Sequence, residues 1–153
     1  MLAFGLLGRG KSHVVAAIGH ELVARAISVL WRPACHLVQE LLAAKRELTL
    51  EAELKRLDRF EVVILDDIGY ISQDREEMEV LFTFLAERYE RRSLMITSNL
   101  VFSEWGKIFK DTMTTAAAID RLVHHSVILE LTGESYRTST ARKRKRSTTV
   151  EGT

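Results

Sequence analysis

Apolar residues along this chain follow two alternating rhythms. Short continuous runs recur at residues 1–4, 28–31, 62–65, 94–97 and 126–131, each long enough for a strand. Between them, apolar positions fall three and four apart, the helical spacing. Residues 11–26 place Val14, Val15, Ile18, Leu22 and Val23 on one helical face. Residues 34–44 do the same with Leu37, Val38, Leu41 and Leu42, and Leu50, Leu54 and Leu57 form a further amphipathic set. Residues 75–91 predict a helix with Met78, Leu81, Phe82, Leu85 and Tyr89 turned inward, and shorter helices are expected at 103–109 and 115–124. The run Val62-Val63-Ile64-Leu65 has no polar alternation, the mark of a strand buried on both faces. Strands alternating with helices predict an α/β fold in three layers, a five-stranded, mainly parallel sheet with helices on both faces. After Gly133 the pattern stops. The expected division is a core over residues 1–136 and a disordered tail over 137–153.

Composition narrows the class. The chain has 153 residues, 46% hydrophobic and 28% charged, with a single proline, which suits one globular domain rather than a disordered chain. Cys35 is the only cysteine, so no internal disulfide can form, and a reducing, cytoplasmic setting is expected. Its place on an apolar helix face makes it a core residue in this reading. No apolar run reaches the length of a membrane span, and residues 1–4 do not resemble a signal peptide. The net charge of +1 conceals an asymmetry: residues 137–153 hold six basic residues against one acid, +5, leaving −4 on the other 136. An acidic body with a basic tail points to a polyanion contacted mainly through that tail.

Two motifs carry chemistry. Gly5-Leu6-Leu7-Gly8-Arg9-Gly10-Lys11-Ser12 fits the phosphate-loop pattern G-x-x-x-x-G-K-[ST]. Glycines let the backbone wrap an anion with its N–H groups inward, and the helix that follows turns its positive end toward the same point. Lys11 adds a charge for the outer phosphates, and the Ser12 hydroxyl can ligate Mg²⁺. Gly5, Gly8, Arg9, Gly10, Lys11, Ser12 and His13 are therefore the candidate ATP-binding residues, although His13, just past the loop, also reads as a plain helix residue. The second motif is the apolar run ending in Asp66-Asp67. A buried parallel strand ends where ligands bind, so Asp66 is expected to hold Mg²⁺ beside the loop and Asp67 to orient or deprotonate an attacking water.

Other positions stay open on the residues alone. Asn99 ends the fourth apolar run at the same sheet edge and could bond the γ-phosphate or the water, or simply form a turn. Arg121 could reach a neighbouring subunit's nucleotide or be a solvated helix charge. His124-His125 has no cysteine or acid cluster at ligand spacing, so no metal is expected there.

These segments together resemble the IstB-type transposition helper ATPases, a branch of the AAA+ proteins akin to the DnaC helicase loader. The resemblance rests on Leu65-Asp66-Asp67-Ile68-Gly69-Tyr70, Arg75-Glu76-Glu77-Met78-Glu79, Leu85-Ala86-Glu87-Arg88-Tyr89-Glu90, Ile96-Thr97-Ser98-Asn99-Leu100 and Ala116-Ala117-Ala118-Ile119-Asp120-Arg121-Leu122, and runs from about Gly5 to Arg137. It implies a five-stranded AAA+ P-loop core that binds ATP and Mg²⁺, forms homo-oligomers through ATP-bridged interfaces, and associates with DNA and a transposase, with no membrane role. It also implies that Asp67 acts in hydrolysis, that Asn99 is a sensor asparagine, that Arg121 is an arginine finger, and that Arg137 senses nucleotide. Two departures stand out. Leu6, Leu7 and Arg9 replace the usual Pro-Pro and threonine of the family's loop. Family members also carry a substantial region before the loop, so a truncated copy with lost contacts is expected. Two further readings therefore stay open: an ATP-binding assembly module with little turnover, and a metabolic phosphate-loop kinase, against which the missing acceptor-substrate constellation argues.

Overall fold

The structure, a computed structural model, describes residues 1–6, 8–71, 74–100, 120, 122–124 and 126–132. Among the described residues the strands are β1 Leu2–Phe4, β2 Val29–Pro33, β3 Val62–Asp66, β4 Ser93–Ser98 and β5 Ile128–Glu130, and the α-helices with described bounds are α1 Lys11–Ala24, α2 Ala34–Arg46, α3 Leu50–Leu57 and α4 Arg75–Arg88, with residues 120 and 122–124 also helical. A single 3₁₀ turn covers Ile68–Tyr70. The strands form one sheet in the order β2-β3-β4-β1-β5, and every pairing in it is parallel. The short β1 is held because it lies between β4 and β5, pairing on both sides, with Leu2, Ala3 and Phe4 all buried.

The strand period of two divides the core. Along β3, Val63 and Leu65 join the larger apolar cluster, with Leu37, Leu41, Leu57, Leu81 and Phe84 from α2, α3 and α4. Val62 and Ile64 face the other way, onto Val15 of α1. Three described helices thus cover one face of the sheet and α1 the other.

The helices differ from their sequence pattern at their faces and ends. In α1, Val15 is buried, but Val14 and Val23 are 37% and 56% exposed, because one helix lying across a sheet buries a narrower stripe than the five-residue pattern implies. The expectation that both face inward is corrected. In α4 the buried face is wider than predicted and takes in Val80, Phe84 and Arg88, because α4 packs against the neighbouring α2 as well as into the core under the sheet. Its helical bonding ends at Arg88, so Tyr89 is a half-buried cap position rather than an inward helix residue. Cys35 is only half-buried, at the start of α2. The expected helix at 103–109, most of that at 115–124, and residues 137–153 lie outside the described residues. No described helix is long and apolar enough to cross a membrane.

Candidate phosphate-binding site

The chain reversal in this sheet fixes where a ligand can sit. From β1, an interior strand, the path crosses to β2 at the far edge, returns through β3 and β4, and then leaves to β5 on the other side of β1. The C-terminal ends of neighbouring strands therefore converge where strand order reverses, the usual binding crevice of open α/β sheets.

The loop after β1 takes left-handed backbone angles at Gly8 and Gly10, φ 80° and 81°, which cost a glycine almost nothing. Gly10 is also the position before α1, and its carbonyl accepts the first helical bond, from the Val14 N–H at 3.0 Å. No side chain caps α1, and its first turn holds no acid. The positive end of a 14-residue helix is thus left for an anion from outside the chain. Lys11 is 5% exposed, and its Nζ donates to the Leu6 carbonyl at 3.1 Å, so its charge lies back across the loop. Arg9 Nη1 donates to the Leu131 carbonyl at 3.3 Å, which ties the loop to the chain just after β5.

The two motifs meet. Ser12 Oγ donates to Asp66 Oδ1 at 2.9 Å, across 54 positions of sequence. Thr97 Oγ1 donates to the same oxygen at 2.6 Å and accepts from the Asp67 N–H at 2.8 Å. Asp67 itself lies in the left-handed region, φ 57° and ψ 58°, at the start of the 3₁₀ turn. Just beyond β4, Asn99 Oδ1 is buried and has no hydrogen-bond partner among the described residues. Gly69 makes room for it: a Cβ there would lie 2.1 Å from Asn99 Oδ1.

These features suit a magnesium nucleotide. Mg²⁺ takes oxygen ligands, few of them from protein, and Ser12 and Asp66 present two oxygens already in contact. Among the described residues no group of three or more His, Cys, Asp or Glu side chains is placed to hold a metal ion. The amide oxygen of Asn99 is a buried acceptor packed against Gly69 at the same sheet edge. His13 is exposed on the first turn of α1 and makes no hydrogen bond to the other candidates. His124 is likewise exposed, and Arg121 and His125 lie outside the described residues. Sequence reasoning assigned no role to Thr97, because its two bonds depend on β4 lying between β1 and β3, an order that no local motif encodes.

A glycine-rich loop after an interior strand, a helix starting on it, and an acid at the end of a second parallel strand are the elements of the P-loop NTPase fold of the AAA+ type. The crystal structure of DnaI shares this fold, with a TM-score of 0.74 at 24% identity over 86% of this chain and 72% of that one. The chain belongs to the family described as IstB-like ATP binding protein, which matches residues 1–145. An insertion sequence ATP-binding protein of Sinorhizobium fredii is 49% identical over 146 residues, covering 95% of this chain and 49% of the relative. The ATP-binding protein of insertion sequence IS21 from Pseudomonas aeruginosa is 41% identical over 143 residues, 94% of this chain and 54% of the relative. The chain thus spans about half the length of these curated relatives.

Proposed function

We propose that this chain binds and hydrolyses ATP and serves as a helper ATPase in DNA transposition, assembling on DNA with a transposase through ATP-bridged subunit interfaces. The observation that carries the nucleotide reading is the 2.9 Å contact between Ser12 and Asp66, which joins the phosphate loop to the acid of a separate strand. The transposition reading is supported by relatives named as insertion sequence ATP-binding proteins.

In this reading the loop backbone at Gly5, Gly8 and Gly10 wraps the phosphates, Lys11 turns its ammonium to the outer ones, and Arg9 steadies the loop. Ser12 and Asp66 would hold magnesium, which would supply positive charge against the phosphate oxygens. Asp67 takes a proton from the attacking water, and Asn99 turns its side-chain amide to bond that water or the γ-phosphate. Arg121 acts on the nucleotide of a neighbouring subunit.

The test is ATP binding and hydrolysis by the purified chain at several protein concentrations, with and without DNA. Turnover that rises with DNA and with protein concentration is expected. Tight binding without turnover would reduce the function to an ATP-dependent assembly module, and no ATP binding would overturn the reading.

A further inference from the structure

Thr97 is fully buried on β4, between the strands that carry the two motifs, and both hydrogen-bonding capacities of its hydroxyl are committed. The Asp67 backbone N–H can only donate, so the Thr97 oxygen accepts at 2.8 Å. The hydroxyl proton is then directed to Asp66 Oδ1, at 2.6 Å. The same carboxylate oxygen accepts from Ser12, so Thr97 fixes the carboxylate that faces the phosphate loop. Through its other bond it holds the backbone of Asp67, whose left-handed angles are uncommon for a residue with a side chain.

We propose that Thr97 is a positioning residue that locks Asp66 for magnesium and Asp67 for water in one geometry, through a single hydroxyl. This rests on the nucleotide reading above. A threonine suits the task better than a serine in one respect: its β-branch restricts χ1, so the hydroxyl is aimed before any ligand arrives. Side chains that orient metal ligands in this way typically carry about 10–100-fold of metal affinity.

The experiment titrates Mg²⁺ into the chain with a fluorescent ATP analogue and compares nucleotide affinity with and without the metal. Thr97→Val keeps the shape and removes the hydroxyl. Its metal-free nucleotide affinity should stay within about twofold of wild type, because the loop is untouched, while its Mg²⁺ midpoint should rise about 10–100-fold. Thr97→Ala, which adds no steric demand, carries the same expectation, and circular dichroism checks the fold of each. Thr97→Ser should recover most of the magnesium response. In hydrolysis the loss for Thr97→Val should fall on kcat more than on KM, since Asp67 is displaced as well. A folded Thr97→Val or Thr97→Ala with the wild-type magnesium midpoint overturns the proposal, as does a Thr97→Ser as impaired as Thr97→Val. A wild-type chain whose nucleotide binding ignores magnesium overturns the role of Thr97 while leaving nucleotide binding by the loop in place, whereas a chain that binds no nucleotide overturns the nucleotide reading itself.

Discussion

Asp67 and Asn99 show how closely the candidate site is packed. Asp67 takes a backbone conformation that most side chains avoid, and such residues persist only where their surroundings hold them. Asn99 keeps a buried oxygen unpaired beside Gly69, where no Cβ stands in the way. Gly69→Ala should therefore push the Asn99 amide out of place, since the added Cβ would lie 2.1 Å from its oxygen. Nucleotide affinity should hold, because the phosphate loop is not touched, while turnover falls by up to about 10²-fold, the scale of a misplacement near 1 Å. Equilibrium nucleotide binding and single-turnover hydrolysis on the same preparation check this, and an unchanged rate would remove Asn99 from the hydrolytic apparatus. The phosphate loop was legible in the sequence because its residues are contiguous, so spacing alone identifies them. The bonds of Thr97 and the clearance at Gly69 were not, because each needs two segments brought side by side by strand order.

At the scale of elements, the far end of the sheet is organised by Arg88. This side chain is 3% exposed, and its guanidinium donates to the carbonyls of Leu57 at 3.0 Å, Phe60 at 2.9 Å, Glu61 at 3.4 Å and Ser93 at 3.1 Å. It also lies 5.8 Å from the centre of the Phe84 ring. Burial pushes the guanidinium down to about 10, which leaves it charged at neutral pH. Those carbonyls end α3 and lead into β3 and β4, so one residue sets where both strands begin. Their other ends carry Asp66 and Thr97. Arg88→Met should cost about 3 kcal/mol or more, because charge-assisted bonds are lost and buried carbonyls are stranded. A fall in Tm of roughly 6–12 °C would follow for a domain of this size. Arg88→Lys should recover little, since one ammonium cannot reach across the same fork. A thermal melt within about 1 °C of wild type would show that the carbonyls find other partners. The apolar pattern located every described strand and the four bounded α-helices but not the 3₁₀ turn at Ile68–Tyr70, and it could not show that a charged residue was inside. An arginine at the end of α4 looks polar to any hydrophobic pattern, and only the convergence of the α3–β3 and α4–β4 connections at that point gives it partners. The width of the buried face of α4 was hidden for a related reason: it depends on α2 packing beside it.

For the whole molecule, two properties bear on assembly and on DNA, and both involve residues outside those described. The first is Arg121, which on the proposed reading completes a neighbour's site. Arginines supplied across an interface are worth roughly 10³–10⁵ in rate in other phosphate-loop enzymes. Mixing Arg121→Ala with Lys11→Ala subunits should then restore part of the activity that each lacks alone, because some interfaces pair an intact loop with an intact arginine. No recovery in stable mixed oligomers would count against action in trans. The second is the charge division, −4 on the first 136 residues and +5 on residues 137–153. A net-acidic body is repelled by DNA at long range, so the proposed DNA contact is drawn to Arg142, Lys143, Arg144, Lys145 and Arg146. These five adjacent cations have no aromatic residue among them to stack on a base, and their contribution should be independent of sequence. Each phosphate they neutralise releases counterions, so log affinity should fall linearly with log salt, at ~0.9 per contact. Deleting residues 138–153 should leave ATP binding unchanged, weaken DNA binding, and lower the salt slope by up to about four units. The measurement is a DNA titration at several salt concentrations, with and without the tail, on duplexes of unrelated sequence. Equal slopes for both chains would mean that the tail makes no phosphate contact, and any DNA binding would then have to arise from basic patches that the acidic body gathers on assembly.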